Sequence, residues 1–82
     1  MNVTVTCFGA IRDYLPAHAE GNSVVVDVPS GATVQDLVDA LPLPRRLVYA
    51  VLVDSVQGSL DQRLYEGTEV VLMPPFSGGT LT

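Results

Sequence analysis

Gly31-Ala-Thr-Val-Gln-Asp-Leu-Val-Asp-Ala-Leu41 is the stretch that decides the fold, because it is the one long helix signal in a chain otherwise written as strands. Thr33 is a good N-cap, and Asp36 three residues later completes a capping-box-like pattern at the positive end of the helix dipole. Val34, Leu37, Val38 and Leu41 fall at i, i+3, i+4 and i+7, a single apolar stripe built to lie on a sheet. Pro42 and Pro44 terminate the pattern.

Strand signals lie on both sides of this helix. Val3 to Phe8 alternates, with Val3, Val5 and Cys7 on one face and Thr4, Thr6 and Phe8 on the other. In Ala10 to Leu15, the residues Ile11, Tyr14 and Leu15 sit at helical spacing until Pro16, which implies one or two turns. Ala17 to Asn22 reads as a polar loop and Ser23 to Val28 as a second strand, ended by the turn Pro29-Ser-Gly31. Leu47 to Asp54, apolar almost throughout, is expected to be a third strand, central or well covered. Gly58 to Gly67 holds turns, and Glu69-Val-Val-Leu-Met73 is the last strand, closed by Pro74-Pro75. One main helix among four or five strands predicts an α+β fold with a mixed sheet covered on one face. With first and last strands side by side, Phe8, Val71 and Met73 share the uncovered face, and an exposed apolar patch marks a partner surface.

Composition narrows the function. Eighty-two residues make one domain, which buries roughly 60–65% of its unfolded surface. A mean hydropathy of +0.36 fits a folded globule. Nine acidic residues against four basic ones give a net charge of −5. That field repels phosphate backbones and excludes nucleic acid as the expected partner. No segment reads as a signal peptide or a membrane span, so a cytoplasmic location is expected. Cys7 is the only cysteine and reads as a small core hydrophobe. The basic residues are Arg12, Arg45, Arg46 and Arg63, with no lysine, so the N-terminus is the only amine open to acylation. Arg45-Arg46 reads as a solvated turn, with docking to an acidic partner as the alternative. His18 is a solvated loop residue, and Asp54 and Asp61 are turn residues. No catalytic residue, metal set or bound cofactor is expected.

Three segments together carry a resemblance: Phe8-Gly-Ala-Ile-Arg-Asp-Tyr-Leu15, Gly31 to Leu41, and Leu64-Tyr-Glu-Gly-Thr-Glu-Val-Val-Leu-Met-Pro-Pro-Phe-Ser-Gly-Gly79. In this order, over nearly the whole chain, they resemble the MoaD/ThiS family of ubiquitin-like β-grasp sulfur carriers. The acidic-Gly-x-Glu-Val strand running into Pro-Pro-x-x-Gly-Gly is the most specific of them. The resemblance implies a β-grasp domain over 1–76 and a flexible Gly-Gly tail with a three-residue extension over 77–82, with first and last strands as parallel neighbours. It further implies that Gly79 is adenylated, at the expense of ATP, by a ubiquitin-activating-like enzyme. A sulfur donor of desulfurase or rhodanese type then converts it to a thiocarboxylate for an acceptor synthase in cofactor biosynthesis. Pro74 and Pro75 would hold the tail extended. Gly78 and Gly79 would let bare backbone enter a narrow site. Ser77 belongs to the same recognition segment, and Phe76 either anchors the partner enzymes or folds back on the sheet.

The chain departs from that family at Thr80-Leu81-Thr82, which leave Gly79 in a peptide bond. The expected remedy is cleavage between Gly79 and Thr80 by a protease, often of the JAMM zinc type; a remnant tail is the alternative. A second functional class also stands: a non-catalytic β-grasp interaction module with a vestigial Gly-Gly.

Overall fold

The computed structural model describes residues 1–41 and 43–75. In chain order it contains β1 (Asn2–Cys7), a 3-10 helix (Gly9–Tyr14), β2 (Ser23–Asp27) and α1 (Val34–Ala40). A second 3-10 turn (Arg45–Leu47) leads into β3 (Ala50–Val53), β4 (Val56–Gln57) and β5 (Glu69–Met73). The five strands form one sheet in the order β2-β1-β5-β3-β4. β1 and β5 run parallel, while β1–β2, β3–β5 and β3–β4 are antiparallel. This is the mixed sheet with one main helix of an α+β, ubiquitin-like β-grasp fold.

Local chemistry explains the helix. Thr33 Oγ1 accepts from Asp36 N at 3.3 Å and Asp36 Oδ2 accepts from Thr33 N at 3.0 Å, the reciprocal bonds of a capping box. All four residues of the apolar stripe are buried: Val34, Leu37, Val38 and Leu41. They pack on the inward residues Val3, Val5 and Cys7 of β1, Val24 of β2, Val51 and Val53 of β3, and Val70 and Leu72 of β5. Burying large aliphatic side chains stabilises a domain by about 1.5–3 kcal/mol each. Ile11 and Leu64, both fully buried, belong to the same core.

One expectation needs correction. Leu47 to Asp54 is not all strand: only Ala50–Val53 is, because Arg45–Leu47 forms a 3-10 turn. Leu47 N donates to Pro44 O at 2.9 Å and Val48 N to Arg45 O at 3.1 Å, so the backbone is satisfied locally before the sheet begins. β3 itself is well covered, as expected: it lies between β5 and β4 with Val51 and Val53 buried, and β5 is the middle strand. The one or two turns expected before Pro16 do form, as the 3-10 helix Gly9–Tyr14, with Ile11 buried and Tyr14 44% exposed. The helix ends at Ala40. Pro42 as a terminator, and the boundary between 1–76 and 77–82, fall outside the described residues.

Among the described residues no helix is long and apolar enough to cross a membrane.

Candidate functional site

The open face of the sheet and the end of β5 together form the candidate site. Registers set its rows. Thr6 pairs with Val71 and Val71 with Leu52, so Thr6, Val71 and Leu52 lie side by side. Met73 pairs with Ala50, and Phe8 is one step beyond the last parallel pair, Cys7–Leu72. Side chains alternate along strands, so Phe8, Val71 and Met73 share the face opposite the helix. Phe8 is 46% exposed, while Val71 and Met73 are half-buried against their neighbours. Thr6 Oγ1 and Ser23 Oγ share a hydrogen bond of 2.8 Å at the margin of this face.

β5 is held on both flanks up to its last residue. Phe8 N donates to Leu72 O at 3.1 Å, and Tyr49 N donates to Met73 O at 2.9 Å. Pro74 and Pro75 carry no N–H, so neither ladder can continue and the chain leaves the sheet there. Pro74 is half-buried and Pro75 exposed.

Gly9 is a contributor that the sequence reading did not single out. Its φ is +60°, and a Cβ built on it would lie 2.7 Å from Pro74 Cγ. The second residue after β1 must therefore lack a side chain for Pro74 to take its present course. The Phe8-Gly9 pair was a visible signal; its partner, distant in sequence, was not.

Other singled-out residues lie elsewhere. Asp54 adopts φ 50° in the β3–β4 turn, where its Oδ1 accepts from Glu69 N at 3.0 Å. Asp61 Oδ1 accepts from Ser59 Oγ at 2.6 Å in the following loop. Arg12, Arg45, Arg46 and His18 are exposed. Cys7 is fully buried, and burial pushes its thiol up to about 11. Among the described residues no cluster of His, Cys, Asp and Glu could hold a metal ion. Phe76, Ser77, Gly78, Gly79 and Thr80 lie outside the described residues.

A ubiquitin-like β-grasp domain with an open apolar face beside its β5 exit is the class that this geometry defines. The chain belongs to the Mut7-C ubiquitin family, which matches residues 1–78. No curated protein matches it in sequence. Among solved structures it is similar to SAMP1 from Haloferax volcanii, at 29% identity and a TM-score of 0.72, over 96% of this chain and 100% of that one. It is also similar to a putative molybdopterin converting factor, subunit 1, from Pyrococcus furiosus, at 21% identity and a TM-score of 0.69, over 92% of this chain and 98% of that one. A third likeness is to a chain in the complex of subunits 1 and 2 of the Helicobacter pylori molybdopterin-converting factor, at 22% identity and a TM-score of 0.60, covering 96% and 100%. These likenesses agree with the MoaD/ThiS resemblance.

Proposed function

We propose that this protein is a sulfur carrier that works through the carboxylate of Gly79, exposed by removal of Thr80 to Thr82. The observation that carries the reading is the end of β5: a central strand clamped at Leu72 and Met73 that hands the chain directly to Pro74-Pro75, with Gly78-Gly79 next in sequence. The rigid sheet supplies a fixed base, and the prolines lower the ordering cost of the segment that follows. A partner enzyme of the ubiquitin-activating kind then works on the glycine. The carboxylate oxygen attacks the α-phosphorus of ATP and pyrophosphate leaves. The terminal sulfur of a persulfide on a desulfurase- or rhodanese-type donor next attacks the carbonyl carbon and AMP leaves. A thiol of the partner machinery then cleaves the resulting acyl disulfide, releasing the thiocarboxylate and leaving the donor sulfur in a disulfide with that thiol. The carrier is a macromolecular substrate in every step.

Phe8, Val71 and Met73 serve in this reading as the face that docks the acceptor synthase. Support comes from the H. pylori neighbour, whose structure is of a complex between subunits 1 and 2. Because Gly79 is followed by Thr80, a protease must first cut between them, and a JAMM-type metalloprotease has suitable chemistry. Intact mass of the protein isolated from its host tests the reading. Loss of the residues after Gly79, with exchange of one oxygen for sulfur, is expected. A chain that always retains Thr80 sinks it. The apolar open face also supports a second reading, an interaction module with an unused Gly-Gly, and an uncut chain that still binds its partner through Phe8 and Met73 would favour it.

A further inference from the structure

β2 is an edge strand, and part of its outer side has no partner among the described residues. Cys7 N donates to Asn22 O and Val28 N to Met1 O, each at 2.9 Å. Antiparallel alternation then turns the backbone of Val24 and Val26 toward β1, and that of Ser23, Val25 and Asp27 outward. Ser23 is already closed by Glu20: Ser23 N donates to Glu20 O at 3.1 Å and Glu20 N to Ser23 O at 2.8 Å. The N–H and C=O of both Val25 and Asp27 remain. Edge strands are commonly blunted by lysine, proline or a bulge. Ser23-Val-Val-Val-Asp27 contains no lysine or proline, and its registered pairs with β1 run without interruption. Val25 is 59% exposed. Beside it opens a groove of about 410 Å³ lined by Thr4, His18, Glu20, Ser23, Val24 and Val25.

We propose that β2 accepts an extended segment of a partner protein as an added antiparallel strand. The segment would carry an apolar residue opposite Val25 and a basic residue opposite Asp27, and would end short of Ser23, where Glu20 already stands. Backbone bonds to Val25 and Asp27 supply affinity, and alternate side chains supply specificity. Residues of the added strand opposite Val25 and Asp27 point the same way as Val25, over the groove. The one opposite Asp27 meets a carboxylate that is 85% exposed and already accepts from the Met1 ammonium at 3.2 Å. With the chain's net charge of −5, that position selects arginine or lysine. A second copy of this chain is a poor occupant, because it offers Ser23-Val-Val-Val-Asp27 no basic residue and would bring two acidic chains together. The proposal does not depend on the sulfur-carrier reading.

The test titrates the isotope-labelled full chain with the peptide acetyl-Thr-Thr-Thr-Arg-Thr-Val-Thr-amide, read by NMR. Saturable shifts and slowed hydrogen exchange at the Val25 and Asp27 amides are expected. A peptide with glutamate for the arginine should bind at least about tenfold more weakly. Val25→Pro should abolish binding with the fold intact, because the Val25 N–H faces away from β1 and an outward-facing edge position tolerates proline. Should that variant unfold, the exchange measurement on the wild-type chain still decides. Absence of saturable shifts overturns the proposal. So do shifts centred on Val71 and Met73, or self-association of the free chain that protects the same two amides.

Discussion

Gly9 and Pro74 are in close contact across the end of the β1–β5 pair, with 2.7 Å between Pro74 Cγ and the place where a Cβ on Gly9 would sit. The relationship ties the second residue beyond β1 to the first residue beyond β5. Gly9→Ala should therefore be destabilising twice over. A left-handed φ of +60° costs an alanine about 1–2 kcal/mol, and the methyl must also displace a proline ring. Urea unfolding should show a loss of at least about 1 kcal/mol. In the sulfur-carrier reading, activation of the tail should fall beyond what the loss of folded protein explains. Wild-type stability in Gly9→Ala would mean that Pro74 moves aside at no cost.

Phe8 and Met73 offer a separation of binding from folding. In the sulfur-carrier reading, replacing both with aspartate should abolish binding to the acceptor synthase while circular dichroism remains native. Neither residue belongs to the buried core, so the stability loss should not exceed about 2 kcal/mol, including repulsion between the new charges. An unfolded double variant would show that these side chains support the sheet.

Cys7 predicts a pH dependence whose sign can be worked out. Its thiol is fully buried, and desolvation raises it from 9.0 to about 11. The unfolded chain therefore loses this proton first, and stability falls as pH rises. The contribution is complete below pH 9 and is lost as pH passes about 11. A two-unit shift corresponds to about 2–3 kcal/mol. Denaturation of wild type and Cys7→Ala between pH 8 and 11 should show the wild type losing stability more steeply by about that amount. Parallel curves would mean that water reaches the thiolate in the folded state.

Acyl adenylation needs a free carboxylate, and Thr80 keeps that of Gly79 in an amide. In the sulfur-carrier reading, the chain carrying Thr80 to Thr82 should be inert with an activating enzyme in ATP–pyrophosphate exchange. A version ending at Gly79 should be active. Within that version, Gly78→Ala should leave stability unchanged and depress activation, since the added methyl must enter a channel shaped for bare backbone. Equal exchange by the long and short forms would make the three residues irrelevant to activation.

What the sequence determined by itself is everything local. Thr33 with Asp36, and the stripe Val34, Leu37, Val38 and Leu41, specify α1 because capping and i, i+4 spacing act within a few residues. Alternation in β1 likewise separates Val3, Val5 and Cys7 from Thr4, Thr6 and Phe8, since a strand's period of two needs no partner to be read. The apolar run from Leu47 to Val53 is a different case. Periodicity cannot tell a half-exposed turn from a strand there, and hydrogen bonds to Pro44 and Arg45 decided that the first residues would coil. Only the tertiary structure chose β5 as the central strand, because sheet order depends on which edges meet and not on how apolar each strand is. It alone brought Pro74 onto Gly9 and turned Val25 and Asp27 outward on an unpaired edge. Those arrangements are contacts, or their absence, between segments distant in the chain, and no single segment carries them.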